Sequence, residues 1–378
     1  MSVVIKEVTS KKELKKFVKF NIELYKGNPY HVPGLIEEEM VTLDKKKNPA
    51  FEVCDAIYFL AYKDGKVVGR IAGMINRRSN ETWNQKYARF GFVDFIDDAE
   101  VVDALFGAVE KWAVGQGMEA LQGPMGFTDM DHEGMLIEGF DQIGTMATIY
   151  NYPYYPKQME RMGYTKDQDW HEFKIYIPDG VPEKHLRIGE IVKKKYGLKV
   201  MKFKNAKSIM PYAQKVFRTL NESYAPLYGF ARLTQKQIYY INMYIPMLRY
   251  DLVTLIVREE DDEVVGFGIS LPNLSKAMQK AKGHLFPFGW IYLLKALKSK
   301  PKVIDLYLTG VLPEYQSKGV NALLFNDLIP VYKSVGAIYA ESNPELETNN
   351  AVQAQWDYFK REHHKTRRAY IKQLKGKS

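Results

Sequence analysis

At 378 residues the chain is longer than one average core, so two domains are expected. Its 46% hydrophobic and 26% charged content is that of a globular protein, and the single cysteine, Cys54, excludes a disulfide framework and a cysteine zinc site. The 54 basic residues against 45 acidic ones leave a net charge of +9, which suits a polyanionic partner: a nucleotide cofactor, nucleic acid or an anionic surface. Met1–Glu7 is too short and too soon charged for a signal peptide, and no apolar run approaches the ~18 residues of a membrane span. Phe286–Leu297 comes closest and carries Lys295. A cytoplasmic protein is the expectation.

In chain order, Val3–Val8 reads as a strand. Ser10 and Glu13 form a capping box that opens a helix with Leu14, Phe17, Val18 and Ile22 on one face. Ala56–Tyr62 and Val67–Ile75 form a hairpin across Asp64-Gly65. Arg89–Phe95 is a strand, and Asp97-Asp98 caps a helix carrying Val102, Leu105, Val109 and Trp112. Glu119–Gly123 is a strand, 124–151 a Gly-rich irregular segment that includes His132, Tyr155–Met162 a helix and Trp170–Ile177 a strand.

After a linker at Pro178–Pro182 a second round begins near Leu198. Leu198–Phe203 is a strand, Ala206–Tyr224 and Thr234–Met247 are helices, and Leu252–Arg258 with Glu263–Leu271 is a hairpin. A helical insertion, Leu274–Lys300, precedes a strand from Val303, a loop and a helix in which Pro330 is expected to kink or end the chain's path. Ala337–Glu341 is a strand, Asn349–Arg361 a helix and Thr366–Leu374 a strand, within a basic C-terminal run from Lys360 to Lys377. One element order thus occurs twice, without a residue-level repeat.

The strand–loop–helix at Val303–Gly336 carries the chemistry. Pro313 ends the strand, and Gln316-Ser317-Lys318-Gly319-Val320-Asn321 leads into the helix. Free amides at a helix start, a glycine that admits close approach and a lysine together favour a phosphate or pyrophosphate. The same pattern also fits a tight turn.

Val311–Leu324 resembles the acyl-CoA-binding segment of the GNAT acetyltransferase superfamily, whose pattern is Arg/Gln-x-x-Gly-x-Gly/Ala after a strand. Gln316 and Gly319 match, and Asn321 departs from it. Gly123–Phe127, Glu133–Asp141, Asn151–Tyr155, Val68–Ala72 and Leu271–Asn273 resemble a poorly characterised bacterial tandem GNAT-like group. The resemblance implies a mixed α/β (α+β) chain of two tandem GNAT-like domains, 1–178 and 179–378. Each would have a mostly antiparallel sheet with a central parallel pair, flanked by helices.

It also implies acetyl-CoA or another acyl-CoA as cofactor, no metal, and N-acylation of a small amine or aminoacyl acceptor. Thr309, Gly310 and Val311 would lie beside the thioester, and Gln316, Ser317, Lys318, Gly319, Val320 and Asn321 would hold the pyrophosphate. Glu341 is the candidate base and Tyr358 the candidate acid, although the register of the family's tyrosine falls on Trp356. In the first half Phe95–Glu100 replaces the loop with three carboxylates and no glycine, which argues against a polyanion there. The alternatives are a non-catalytic CoA-binding module and an aminoacyl-tRNA-dependent transferase of the Fem type.

Overall fold

A computed structural model describes residues 2–374. Lys375 and Lys377 of the basic run lie outside the described residues. Two compact units are formed. Unit 1 holds the chain through His171, the segment Leu274–Leu293 and the residues from His364 onward; unit 2 holds Glu172–Asn273 and Leu294–His363.

The first part of the chain gives β1 (Val4–Glu7), α1 (Lys11–Leu24), α2 (Ile36–Thr42), β2 (Cys54–Lys63), β3 (Lys66–Asn76), α3 (Arg77–Thr82), β4 (Tyr87–Phe95), α4 (Ala99–Gly115) and β5 (Ala120–Gly123). β6 (Met135–Glu138), α5 (Tyr154–Arg161) and β7 (Thr165–Tyr176) follow. The capping box closes as expected, with Glu13 N donating to Ser10 Oγ and Ser10 N to Glu13 Oε2. Asp64 and Gly65 both take positive φ in the β2–β3 turn, which the Asp-Gly pair tolerates. The strands of unit 1 run β1-β2-β3-β4-β5, antiparallel except for β4 with β5, whose register runs from Tyr87↔Ala120 to Arg89↔Gln122.

Val101, Val102, Leu105 and Val109 of α4 bury against Ile71, Ala88 and Phe90 on one face of this sheet. Phe17 and Val18 of α1 bury with Tyr58 and Met74 on the other. Each such side chain contributes about 1.5–3 kcal/mol of transfer free energy. Cys54 belongs to this second core, and burial pushes its thiol up to about 12, as suits a packed small residue.

The chain continues through α6 (Glu183–Tyr196), β8 (Leu198–Met201), α7 (Ala206–Ile209), α8 (Ala213–Tyr224), α9 (Gln235–Asn242), β9 (Val253–Arg258) and β10 (Val264–Pro272). The insertion forms α10 (Ser275–Ala281) and α11 (Gly289–Lys298). β11 (Val303–Val311), α12 (Asn321–Ser334), β12 (Tyr339–Ser342), β13 (Glu345–Leu346), α13 (Asn350–Gln353) and β14 (Arg361–Gln373) complete it. Unit 2 orders its strands β12-β11-β10-β9-β8, with residues 174–176 of β7 on the free side of β12. Only β11 and β12 are parallel among these. Leu323, Leu324, Leu328 and Tyr332 of α12 pack on Ile256, Val265, Ile304 and Ala340.

Several elements differ from expectation for local reasons. α6 was not expected; it fills the stretch between the linker and β8. Pro211 splits the 206–224 helix, since its ring cannot sit in a helix interior, and a 3₁₀ turn at Met210–Tyr212 intervenes. Pro330 neither ends nor replaces α12, which runs on to Ser334. The 349–361 helix is only α13 followed by a 3₁₀ turn, Ala354–Tyr358. From Tyr370↔Gly123 to Gln373↔Ala120, β14 pairs with β5 inside unit 1. Its basic side chains are paired there: Arg368 makes two bonds of 2.8 and 2.9 Å to Asp169, and Lys372 meets Glu110 at 2.9 Å.

Candidate active site

In unit 2 the site begins with a register slip. β11 pairs with β10 as Leu308↔Ile269 and Leu306↔Ser270, which leaves Tyr307 as an extra residue. A bulge of this kind bends and twists its strand. The parallel pairing to β12 ends at the same point, Leu306↔Ser342. Leu308–Val311 therefore runs on with β10 on one side and no β12 partner on the other. Asn343 donates from its side chain to the carbonyl of Tyr307 and spans the fork.

Thr309, Gly310 and Val311 lie on this diverging stretch. The Thr309 hydroxyl donates to Phe267 O at 3.2 Å, and its carbonyl accepts from the Tyr224 hydroxyl at 3.0 Å. Gly310 is buried, and a Cβ there would stand 2.7 Å from both Phe267 and Ser223 Oγ. A side chain at this position would push β11 off α8.

The loop follows. A 3₁₀ turn at Pro313–Tyr315 reverses the chain, and Gln316 folds back, donating from Nε2 to Val311 O at 3.0 Å. Ser317 and Gly319 both have positive φ, +57° and +81°. A Cβ on Gly319 would also come within 2.7 Å of Ile188 on α6, so a side chain here is both strained and crowded. Among the described residues, the main-chain N–H groups of Ser317, Gly319, Val320 and Asn321 donate to no protein acceptor. Ser317 and Lys318 are exposed, and Lys318 Nζ lies over the rings of Tyr196 and Tyr315, 5.5 and 5.8 Å from their centroids. Undonated amides at the start of a 14-residue helix, with an ammonium beside them, fit a diphosphate.

The proposed proton-handling residues are not gathered at one point. Glu341 is buried on β12, in register with Asp305 and Lys174 on either side, just before the fork. Asp305 accepts from Asn273 Nδ2 at 2.7 Å. Tyr358 is exposed and sits at the start of α6, where Lys184 donates to its hydroxyl at 2.7 Å and His185 meets its ring. Trp356 is buried, and its indole N–H donates to Glu345 Oε1 at 2.8 Å.

Glu345 is the residue that sequence reasoning missed. Burial pushes its carboxyl up to about 7, against the opposing pull of its Trp356 and Ser342 hydrogen bonds. Its second oxygen is buried with no hydrogen-bond partner among the described residues. It lies two residues beyond Asn343, at the open end of the β11–β12 pair. The signal in the sequence was slight: an acid after Asn343-Pro344, where a strand has just stopped.

Unit 1 repeats the geometry with other occupants. β4 carries its own slip, Arg70↔Asp94 followed by Ala72↔Gly91, and separates from β5 after Arg89. Here Asp98 accepts from Glu100 N at 3.0 Å and caps α4, while Lys63 bridges Asp98 and Glu100 at 2.6 and 3.2 Å. The hydrogen bond from Lys63 holds the Asp98 carboxyl below its usual range. The main chain of Phe95 is taken up by α5: its N–H donates to the Tyr155 hydroxyl at 3.1 Å, and its carbonyl accepts from Tyr154 at 2.6 Å.

A strand that bulges away from a parallel neighbour and then feeds a loop and helix, set twice along one chain, is the architecture of the GNAT N-acetyltransferases in tandem. A tandem GNAT protein from the clavulanic acid biosynthesis pathway superposes with a TM-score of 0.59 at 11% identity, covering 100% of both chains. The chain thus has a tandem GNAT-like fold. No family model matches the chain. Two curated proteins resemble it over nearly their full length. Protein YghO of Escherichia coli (strain K12) is 28% identical over 379 residues, 98% of this chain and 95% of that protein. The bacterial ceramide synthase of Caulobacter vibrioides (strain NA1000 / CB15N) is 28% identical over 371 residues, 96% of this chain and 95% of that protein. Among the described residues, no helix is long and apolar enough to cross a membrane.

Proposed function

We propose that the protein is an acyl-CoA-dependent N-acyltransferase whose cofactor site lies in unit 2. The sequence halves 1–178 and 179–378 each hold one round of the GNAT-like topology, and the first is degenerate for cofactor. One observation carries the reading: undonated amides and a positive-φ glycine at the end of a strand whose outer edge is open. Ser317, Gly319, Val320 and Asn321 would hold the diphosphate through their amides, Lys318 through its charge, and Gln316 by fixing the loop. Thr309, Gly310 and Val311 would lie along the pantetheine arm.

Bound acyl-CoA supplies an activated thioester. The chain's own task is then to position an amine and take its proton. Glu345 suits the second role, since a base that titrates near neutrality is matched to it. Glu341, deeper on β12, is the second candidate. Tyr358 would serve as acid only for a group that reaches the start of α6. The acceptor is a small or amphipathic amine or an aminoacyl group, and the likeness to a ceramide synthase favours a long-chain amine with a long acyl donor.

The test is calorimetry with acetyl-CoA and palmitoyl-CoA, followed by thiol release with an amine panel that includes sphinganine. No binding of either thioester at millimolar concentration sinks the reading. A second reading, a CoA-binding module or a tRNA-dependent transferase, draws on Trp356 standing where the family's acid is expected. Binding without thiol release from any amine, or salt-sensitive tRNA binding, would favour it.

A further inference from the structure

The insertion between β10 and β11 holds an unusual combination of side chains. From Lys276 to Lys302 it carries seven lysines, 276, 280, 282, 295, 298, 300 and 302, and no aspartate or glutamate. All seven are exposed, and among the described residues none of them forms an ion pair. Between them the chain turns apolar on the outside. Phe286 is 66% exposed, Phe288 65%, Trp290 43%, Ile291 43% and Tyr292 41%. Within α11 only Gly289 is buried, although the helix reads Gly-Trp-Ile-Tyr-Leu-Leu-Lys-Ala-Leu-Lys. A helix this apolar is normally covered, and an exposed aromatic cluster of this size marks a binding surface.

The base of the insertion is well seated. Ser275 Oγ donates to Gly144 O at 2.8 Å, Gln279 Nε2 donates to the carbonyls of Pro29 and His31, and Ile36 N donates to Gly283 O at 2.8 Å. Glu37 accepts from Leu285 N at 3.5 Å. The segment is held up to Leu285, and the exposed aromatics follow directly.

We infer that Phe286–Lys302 docks the protein on an anionic lipid bilayer. The aromatic side chains enter the headgroup–acyl boundary, where Trp and Tyr are favoured, and the lysines meet the anionic headgroups. Charge decides for this occupant over a second copy of the chain: the segment's four unneutralised lysines, 295, 298, 300 and 302, would face their own copies across a two-fold interface. The inference stands apart from the transfer chemistry, because docking is read without turnover.

The experiment is sedimentation of the full chain with phosphatidylcholine vesicles, with and without phosphatidylglycerol. Binding is expected only with the anionic lipid and should weaken with salt. Replacing Lys295, Lys298 and Lys300 together by Gln should lower the partition coefficient about 100-fold, at about fivefold per lysine. Phe286→Ser with Phe288→Ser should lower it at least about tenfold while leaving the thermal melt unchanged, since both side chains are largely exposed. A quench of Trp290 by brominated lipid, lost in Trp290→Phe, would locate the contact. Three results overturn the inference: no sedimentation with either vesicle, sedimentation indifferent to both variant sets, or apolar variants that dissolve a dimer in solution while vesicles bind nothing.

Discussion

Asp98 is the N-cap of α4 and Gly319 sits one residue before the N-cap of α12, each at the join between a bulged strand and the following helix. Asp98 turns its carboxylate onto the helix amides and is held there by Lys63. Gly319 offers no side chain and leaves the amides around it undonated. The edge of the strand differs in the same sense, since Tyr154 and Tyr155 satisfy Phe95 in unit 1. A fold built to hold an anion at a helix start can thus be stabilised by its own carboxylate instead. Which of the two has happened decides where a cofactor can lie.

The contrast breaks most sharply at Gly319. Gly319→Glu adds a charge of the wrong sign, a strained φ and a clash with Ile188. Acyl-CoA affinity, measured by calorimetry, should fall at least about 100-fold, roughly the effect of removing the charge-assisted amide contacts to a diphosphate. An unchanged affinity would mean that the cofactor does not use this loop.

Glu345 gives the next largest effect. Glu345→Gln should lower the rate of thiol release about 100-fold or more with little change in acyl-CoA affinity, the usual size of a lost general base. In the unaltered protein the rate should rise as pH increases through about 7, because the base must be ionised. Stability runs the other way. The folded carboxyl titrates at about 7 against an ordinary 4.5, so the native state binds the extra proton between these values and loses stability as pH rises through that window. At pH 8 the Gln variant should therefore unfold at about 3 kcal/mol higher free energy, read by denaturant titration at both ends of the window. Lys318→Glu tests the cradle without disturbing glycine geometry, and acyl-CoA affinity should drop about tenfold, less at high salt.

How much of this the sequence disclosed depended on whether the determinant was local. Pro313 and Gly319 punctuate the chain whatever surrounds them, so the loop was legible, and so were the Ser10–Glu13 box and the Asp64-Gly65 turn. The bulge at Tyr307 leaves no mark in β11 itself, because register exists only relative to β10. The partner of β14 was hidden for the same reason: nothing in 361–373 names β5. α6 was missed because Leu186 and Ile191 are exposed, which blurs the apolar stripe that Ile188 and Val192 belong to. Glu345 could not be singled out because its pKa is created by burial, which a sequence does not display.

The smallest effect is also the most discriminating. Asp98→Ala removes the cap of α4 and the salt bridge to Lys63. The exposed pair is worth little, so the loss should be that of the cap, about 1 kcal/mol. Because the Asp98 carboxyl is held below its usual range, the charged cap is at full strength above pH 4. The difference between the two proteins should therefore shrink as pH falls below that value. Acyl-CoA affinity should not change in either direction. Freed amides alone do not make a cofactor site while Tyr154 and Tyr155 still hold the main chain of Phe95. A second molar equivalent of acyl-CoA bound by Asp98→Ala would show that the carboxylate alone keeps unit 1 closed, and the distinction drawn between the two units would reduce to that one residue.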